Sequence, residues 1–378
     1  MAQLRELRKS IENPANILHD DTRNRYRVIM VGKGPRAKAD GGDGNFCFAF
    51  KLERNSSAAS SYPQYRCYRV WKQTPSTSDM TRYSMISEYL RSTGLSYFLD
   101  YGFALRALKV DTTGEILPGT YMEWIEGMHL HQYLTEVWKT MPSNRRLAFV
   151  QSVVLMFHRL RLRNISHGDL SCRNILVMPR TGDIKLVDYD SLYVPSMGTK
   201  YRQTTGGVGG FQHPLRVNDF DHRSAGLDDD NFASLVITLS LLVAYYEPSA
   251  LDSYDESHLL FDASDFNGEN GAQRLRTLHN SRGWTVASKV AATQPVVKDI
   301  MAALENVSGT VESIPSICSV ISLARAQSEN FPYEAPRIVR RNVAYCTTCG
   351  HHFKDITESF IHCPYCGAKR HSYTTQVN

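Results

Sequence analysis

The sequence predicts an α+β fold of two lobes, the first rich in strands and the second in helices, followed by a small cysteine-bearing module. Short runs of aromatic and β-branched residues dominate residues 26–125, a pattern typical of strands. Helical periodicity replaces it over residues 126–327. Residues 343–378 carry two C-x-x-C pairs. Residues 1–25 are predicted to be an N-terminal extension, and the proline-containing residues 328–342 a linker.

Composition favours an ordinary globular protein, since 42% of residues are apolar and 21% are charged. The longest apolar run, residues 232–246, has 15 residues and contains Ser and Thr, so it is shorter than the roughly 20 residues that span a bilayer. The opening segment MAQLRELRKSIENP lacks the apolar core of a signal peptide. Four of the eight cysteines are scattered, which indicates a reducing compartment. We therefore expect a cytoplasmic protein.

Three strand-like segments open the first lobe, RYRVIMVGKG, NFCFAFKL and QYRCYRVWK. The polar segment ERNSSAASSYP separates the last two and predicts a flexible hairpin loop. A helix is predicted over residues 78–92, with Ser78 or Asp79 as its N-cap and Gly94 just past its end.

Helical periodicity begins the second lobe, where Ser143 is predicted to cap a helix. The apolar side chains of this helix recur at helical spacing, at Leu147, Val150, Val154 and Phe157. Two short strands, ILVM and IKLVD, then flank a PRTGD turn, and a loop rich in Gly and Thr follows at residues 196–210. The apolar segment at residues 230–246 predicts a buried helix, and further helices are expected to about Gln327.

One stretch of the second lobe, ISHGDLSCRNILVMPRTGDIKLVDYD, combines acidic residues with an amide. Asp169 and Asn174 lie on one predicted loop and Asp188 follows the second strand, so a hairpin would bring all three together. Phosphoryl transfer needs metal ions that bridge phosphate oxygens and a carboxylate that orients the acceptor hydroxyl. Carboxylate and amide oxygens suit Mg²⁺. The pattern therefore indicates a metal–phosphate site.

The motifs HGDLSCRN and LVDYD resemble the catalytic loop and the metal-binding motif of the protein-kinase-like fold. The resemblance runs in order over roughly residues 26–327, which makes it more specific than any single motif. It implies a bilobal fold with a β-rich N-lobe and a helical C-lobe. It also implies that Asp169 is the catalytic base and that Asn174 and Asp188 hold Mg²⁺.

The segment GDGNFCFAFK resembles the glycine-rich loop of the same family through Gly42, Gly44 and Phe46, with Cys47 in place of the third glycine. The resemblance implies that Ala49 lies over the base of a bound ATP. A glycine-rich segment alone predicts only a turn. Its place between two predicted strands, ahead of a lysine, favours the nucleotide-binding interpretation.

The family resemblance implies that Lys72, in CYRVWK, binds the α- and β-phosphates together with Glu88, in ISEYL on the following helix. The loop at residues 53–63 makes the interval between the glycines and this lysine longer than usual. The alternative interpretation is a solvated lysine and a solvated glutamate.

The segment YMEWIEGMHLHQYL resembles the hinge that connects the two lobes in this family. The resemblance implies that Met122 lies beside the adenine pocket and that Glu123 and Ile125 present backbone groups to adenine. Glu126 is implied to reach the ribose. A strand followed by a helix cap is the alternative interpretation.

Several positions depart from the family pattern. Gly168 stands where many protein kinases have an arginine that pairs with an activation-loop phosphate, so we expect activity that does not depend on such a phosphorylation. Asp190 replaces the glycine of D-F-G. Pro214 matches the A-P-E motif, but Leu215 replaces its acidic residue. Asp230 resembles the aspartate that braces the catalytic loop, and a plain N-cap explains an Asp there equally well.

HGDL with a D-x-D-type second motif also resembles small-molecule kinases of the same fold, such as aminoglycoside or sugar kinases. The hinge match, the long loop at residues 191–213 and the appended cysteine module favour a protein substrate, as in bacterial Ser/Thr-kinase-like proteins with a zinc ribbon. A nucleotide-binding pseudokinase scaffold is the third alternative, weakened because the base and both metal ligands are present. We therefore expect an ATP/Mg²⁺-dependent Ser/Thr protein kinase.

Two C-x-x-C-G knuckles close the chain, and their thiolates are expected to bind Zn²⁺ as in zinc ribbons. The four ligands are Cys346, Cys349, Cys363 and Cys366. Cysteines fill all four positions, so the zinc is expected to be structural and to supply the folding free energy of the module. We expect the module to recruit a protein partner or to dock within the molecule. Its basic flanks are compatible with nucleic acid, but no basic stripe with interleaved aromatics supports that partner, and no membrane contact is expected.

Overall fold

The structure is a computed structural model of the chain, and it shows an α+β protein. It describes residues 4–34, 37–44, 46–328 and 331, together with the backbone of three strands at Asn342–Cys346, His352–Phe353 and Tyr373–Val377. The chain divides into two compact units, Met1–Glu126 and Gly127–Asn378. Within the part of the chain that is described, no helix is both long enough and apolar enough to cross a membrane.

The first unit is built on an antiparallel sheet and three helices. The helices are α1 (Leu4–Glu12), α2 (Asp20–Arg25) and α3 (Thr77–Thr93). The strands are β1 (Tyr26–Val28), β2 (Met30–Val31), β3 (Lys38–Ala39), β4 (Gly41–Asp43), β5 (Cys47–Arg54), β6 (Tyr65–Trp71), β7 (Tyr101–Lys109) and β8 (Ile116–Glu123). The main sheet has the order β1–β5–β6–β8–β7, β4 also pairs with β5, and β2 and β3 form a separate ribbon.

The two faces of this sheet pack against different helices, because side chains alternate along each strand. Phe48 of β5 belongs to the core that also contains Leu7 and Ile11 of α1. On the opposite face, the ring of Trp71 lies 4.8 Å from the ring of Tyr83 on α3. Helix α1, within the predicted extension at residues 1–25, therefore contributes to the core of the first unit.

The strand segments predicted for the first lobe are present as β1 with β2, β5 and β6. The predicted helix is present as α3, and Gly94 ends it with a left-handed backbone of φ 64°. The predicted N-cap is wrong by two residues or more. Ser76 caps the helix instead, because its hydroxyl oxygen accepts a hydrogen bond from the N–H of Asp79 at 3.1 Å.

The second unit is mainly helical. Its small sheet has the order β11–β10–β9, with β9 at Met128–His129, β10 at Ile175–Val177 and β11 at Ile184–Leu186. Its helices are α4 (Leu130–Gln132), α5 (Ser143–Leu162), α6 (Pro214–Asp219), α7 (Asn231–Tyr246), α8 (Gly271–Asn280), α9 (Arg282–Ala291), α10 (Pro295–Leu304), α11 (Ile317–Val320) and α12 (Leu323–Ala326). Short 3₁₀ turns link several of them.

Helix α7 forms the centre of the second unit, as its apolar sequence predicts, and every residue from Asn231 to Ala244 is buried. Helix α5 packs against it and buries Val150, Val154 and Phe157. The predicted cap of α5 is wrong. Ser143 is the first helical residue and makes no capping bond, while its hydroxyl contacts the hydroxyl of Tyr245 at 3.0 Å.

Three further strands lie near the C-terminus, where β12 (Asn342–Cys346) pairs antiparallel with β13 (His352–Phe353) and with β14 (Tyr373–Val377). Most of the predicted linker, residues 328–342, lies outside the described residues. The remainder of the predicted zinc module, residues 343–378, also lies outside them apart from these strands.

Candidate active site

A short hairpin places Asn174 and Asp188 at the same end of two paired strands. Strands β10 and β11 run antiparallel with Ile175 opposite Leu186. The N–H of Val187 donates to the carbonyl of Asn174 at 3.1 Å, which continues the pairing to the residues that flank the strands. Asp188 has a φ of 65°, a left-handed backbone that is strained for a non-glycine residue. Strain of this kind clusters at functional sites.

Side chains hold three consecutive carbonyl groups of the loop that carries the predicted base, Asp169. Asn174 Nδ2 donates to the carbonyl of the base itself at 2.6 Å. On either side of it, Gln212 Nε2 donates to the carbonyl of Leu170 at 3.2 Å, and Arg216 Nη2 donates to the carbonyl of Gly168. A backbone held at three successive carbonyls has little freedom, so the position of the base is fixed.

Asp230 holds the same loop through its N–H groups. One carboxylate oxygen accepts a hydrogen bond from the N–H of Gly168 at 2.9 Å, and the other accepts from the N–H of His167. Asp230 is 9% exposed and makes no side-chain capping bond to α7. The predicted bracing contact is present, and Asp230 also occupies the N-cap position of α7, without a side-chain capping bond.

Glycine is required at two positions next to the base. Gly168 has a φ of 76°, and a Cβ there would collide with the carbonyl of Ser191. This crowding gives a physical reason why no side chain larger than that of glycine stands at position 168. Gly207 has a φ of 75°, and a Cβ there would lie 2.9 Å from Asp169 Oδ1. The loop at residues 191–213 therefore approaches the base closely while it leaves room beside the carboxylate.

The environment of Asp169 favours proton acceptance near neutral pH. Burial raises the pKa of Asp169 to about 6, and the charge of Asp188 adds to the rise, whereas His167, Arg216 and the Asn174 amide lower it. Asp169 Oδ1 is buried and has no hydrogen-bond partner within the described part of the chain. Buried oxygens are nearly always satisfied, so this exception indicates a functional role. A base with a pKa close to the working pH is well suited to general-base catalysis.

The oxygen donors at this end of the hairpin fit a hard divalent cation. Asp188 is exposed and offers a carboxylate. Asn174 uses its amide nitrogen on the carbonyl of Asp169, so its amide oxygen is the donor that a cation would meet. Ligand sets of carboxylate and amide oxygens suit Mg²⁺. The residues present therefore fit the predicted metal.

In the first unit, the predicted glycine-rich loop is the turn between β4 and β5. Gly42 pairs with Ala49, and the N–H of Gly44 donates to the carbonyl of Cys47 at 2.9 Å. Phe46, beside this turn, is 75% exposed. A Cβ at Gly42 would meet no atom within 4 Å, so the glycine leaves open space along the strand. Open backbone of this kind allows a ligand to approach closely.

The structure contradicts the predicted pairing of Lys72 with Glu88. Lys72 Nζ lies 2.6 Å from Asp43 Oδ1 and 4.8 Å from the centre of the Phe48 ring. Phe48 lies on the face of the sheet that packs against α1, whereas Glu88 is carried by α3 on the other face. The carboxylate of Glu88 accepts a hydrogen bond from Ser84 at 3.3 Å, and no ion pair within the described ranges joins it to Lys72. Strand alternation separates the two residues.

Arg69 is the cation that β6 presents on the face shared with Ala49, and sequence reasoning missed it. The register pairs Arg69 with Ala49, so their side chains lie on the same face. Its Nε donates to Cys47 Sγ at 3.2 Å, next to the glycine turn. Met122 lies on this face too, through its pairing with Cys67. Alternation along β6 places Arg69 on one face with Cys67, but the sequence does not give the register that sets this face beside Ala49.

The predicted hinge residues lie at the end of β8 and just beyond it. Met122 is buried at 7% exposure, and Ile125 is half-buried. The N–H of Glu123 donates to the carbonyl of Asp100 at 2.9 Å, so that N–H does not serve a nucleotide. The exposed carboxylate of Glu126 accepts hydrogen bonds at 2.8 and 3.1 Å, from Lys51 Nζ and Trp124 Nε1. A contact of Glu126 with ribose would replace these bonds.

Only one of the four predicted zinc ligands, Cys346, lies among the described residues. Cys346 is the last residue of β12, and β13 begins at His352. Cys349, Cys363 and Cys366 lie outside the described residues. The zinc site therefore stays a prediction from the spacing of the cysteines.

Comparisons with known proteins leave the functional argument to the geometry of the site. No family model matches the chain, and no curated protein matches it at a significant level.

Proposed function

We propose that the chain is an ATP- and Mg²⁺-dependent phosphotransferase with a protein-kinase-like fold, which phosphorylates serine and threonine hydroxyls of proteins. The observation that carries the proposal is the loop of Asp169. Side chains fix three of its carbonyl groups and two of its N–H groups around a carboxylate of raised pKa. A reactive group held this firmly is what an active site requires.

The topology of each unit supports the same proposal. In the first unit, the antiparallel sheet with α3 inserted after β6 is compatible with the β-rich N-lobe that the resemblance implies. In the second unit, the hairpin of β10 and β11 follows a long helix, α5, and precedes the buried helix α7. This order of elements supports the proposal for the second unit, where Asp169, Asn174 and Asp188 lie on the loop and hairpin between α5 and α7.

In the proposed reaction, Asp169 accepts the proton of the acceptor hydroxyl as that oxygen forms a bond to the γ-phosphorus of ATP. The bond from the γ-phosphorus to the β–γ bridging oxygen breaks, and ADP leaves. Asn174 and Asp188 would hold Mg²⁺, which neutralises charge on the phosphate oxygens. Because the pKa of Asp169 is about 6, the carboxylate is ionised at neutral pH and is more basic than an ordinary aspartate.

The phosphate-binding cation in this proposal is Arg69 and not Lys72. Arg69 shares a face of the sheet with Ala49 and lies beside the glycine turn. A guanidinium presents several N–H donors in a planar fork that suits phosphate oxygens. Lys72 lies on the opposite face, where it pairs with Asp43.

Matched substitutions of these two cations test the assignment. Arg69→Met should weaken ATP binding by roughly 10- to 100-fold, since charge-assisted hydrogen bonds are worth about 1.5–3 kcal/mol each. Lys72→Met should change it by less than about threefold, because a partly exposed ion pair contributes little. Titration of both variants with Mg²⁺-ATP by calorimetry measures the effect. A large loss in Lys72→Met with little change in Arg69→Met would restore the sequence-based assignment.

The acceptor class is tested with purified full-length chain, Mg²⁺ and γ-labelled ATP. Generic protein substrates and the chain itself form one arm, and aminoglycosides and simple sugars form the other. We expect label on protein serine and threonine. Transfer to an aminoglycoside or sugar alone would make the chain a small-molecule kinase. Nucleotide binding with no labelled acceptor would make it a pseudokinase.

We further propose that the C-terminal module holds one structural Zn²⁺ through its four cysteines. Zinc analysis of the purified chain should give about one ion per chain, and Cys363→Ser should lose the metal. Cys318→Ser is the matched control, because this half-buried cysteine follows the N-cap of α11, outside the module. A wild-type chain without zinc, or a Cys363→Ser variant with unchanged zinc content, would exclude the site.

A further inference from the structure

We propose that Arg216 is a positioning residue for Asp169, an assignment that rests on the proposed function. Arg216 lies on α6 and is 1% exposed. Its Nη2 donates to the carbonyl of Gly168, which belongs to the peptide bond that links Gly168 to the base. The guanidinium therefore fixes the backbone immediately before the reacting carboxylate.

The guanidinium of Arg216 is itself held on all sides. Its Nε donates to Gln203 Oε1 at 2.9 Å. Its Nη1 donates to Gln212 Oε1 and to the carbonyl of Asp229, the latter at 3.2 Å. Gln203 in turn donates to Asp229 Oδ1 at 2.8 Å. Because all three nitrogens of the planar guanidinium are hydrogen-bonded, the group has one orientation. It therefore holds the loop of Asp169 in one position.

Arg216 brings a buried positive charge to a loop whose other buried brace, Asp230, is acidic. Arg216 follows Leu215, which is 38% exposed and stands where the family has an acidic anchor. The anchoring role thus lies one residue later in the chain and acts on the catalytic loop directly.

Arg216→Met tests the proposal, with Arg274→Met as the matched control. Arg274 is also a buried arginine at 4% exposure, and it donates to the carbonyls of Val307 and Gly309, which are outside the loop of the base. Arg216→Met should lower kcat by about 100-fold through misplacement of the base. The KM for ATP should change by less than about twofold, because Arg216 acts on the loop of the base and not on the nucleotide. Arg274→Met should keep the wild-type kcat and KM.

Arg216→Lys separates position from charge and serves where the Met variant does not fold. Lysine keeps the charge but not the fork, so kcat should fall by about tenfold, less than in Arg216→Met. Equal losses of kcat in Arg216→Met and Arg274→Met would reduce Arg216 to a structural residue. A wild-type chain that transfers no phosphoryl group would instead overturn the proposed function, independently of both variants.

Discussion

Asp169→Asn should lower kcat for phosphoryl transfer by about 10²- to 10⁴-fold, the usual contribution of a general base. Asparagine has the shape of aspartate but cannot accept the proton. Nucleotide affinity should change by less than about twofold, because the base acts in the transition state and not in ATP binding. In the wild type, kcat/KM should rise with pH through about 6, following the pKa of Asp169. Steady-state rates with a protein substrate and ATP titrations measure both.

The stability of Asp169→Asn relative to the wild type serves as a control for folding, because the ionised carboxylate of Asp169 destabilises the folded state. The folded-state pKa of Asp169, about 6, is above the usual value of an unfolded aspartate. Wild-type stability therefore falls as pH rises from about 4 to about 6 through this group. The amide introduced by Asp169→Asn does not titrate, so this variant should be more stable by roughly 2–3 kcal/mol above pH 6, with the gain vanishing near pH 4. A variant that is both inactive and destabilised above pH 6 would contradict this description of the base.

Asp230→Ala should lower the free energy of unfolding by roughly 3 kcal/mol and abolish transfer. Removal of the carboxylate leaves the N–H groups of His167 and Gly168 buried without an acceptor. Buried donors without partners are costly, and the loop of the base would lose one of its two sets of restraints. Denaturant unfolding monitored by circular dichroism, together with the transfer assay, measures the two effects.

Asp228→Ala is the matched control for Asp230→Ala. Asp228 is an exposed aspartate two residues away, and it pairs with Arg161 at 2.7 Å. Exposed ion pairs contribute about 0–1 kcal/mol, so this variant should remain active and close to the wild type in stability. Similar small effects in both variants would show that Asp230 does not brace the loop.

Much of the fold follows from local patterns. The alternation in β5 and β6, the apolar run of α7 and the PRTGD turn between β10 and β11 each depend on neighbouring residues, and each is present as predicted. The predicted N-caps of α3 and α5 are wrong. Several Ser, Thr and Asp residues stand at the start of α3, and Ser76 is the one that caps it, whereas Pro142 precedes α5 and no side chain caps that helix.

The candidate site was predictable where its residues are close in sequence and not where they come from different segments. Asp169, Asn174 and Asp188 belong to one stretch that a short hairpin closes. Arg216 contacts the carbonyl of a loop residue that stands 48 positions earlier in the chain. No periodic pattern in the sequence predicts such a contact. The role predicted for Lys72 failed for a different reason. A lysine suits phosphate, but the period of two that continues from β6 places Lys72 on the face of the sheet opposite Arg69.

The most direct test of the proposed chemistry is the transfer of label from γ-labelled ATP to a protein substrate by the full-length chain. The assay compares wild type with Asp169→Asn, with Mg²⁺ present or removed by chelation. We expect label on serine or threonine with wild type and Mg²⁺, and only background without Mg²⁺ or with Asp169→Asn. Equal transfer by wild type and Asp169→Asn, with both proteins folded and binding ATP, would contradict the assignment of Asp169 as the base.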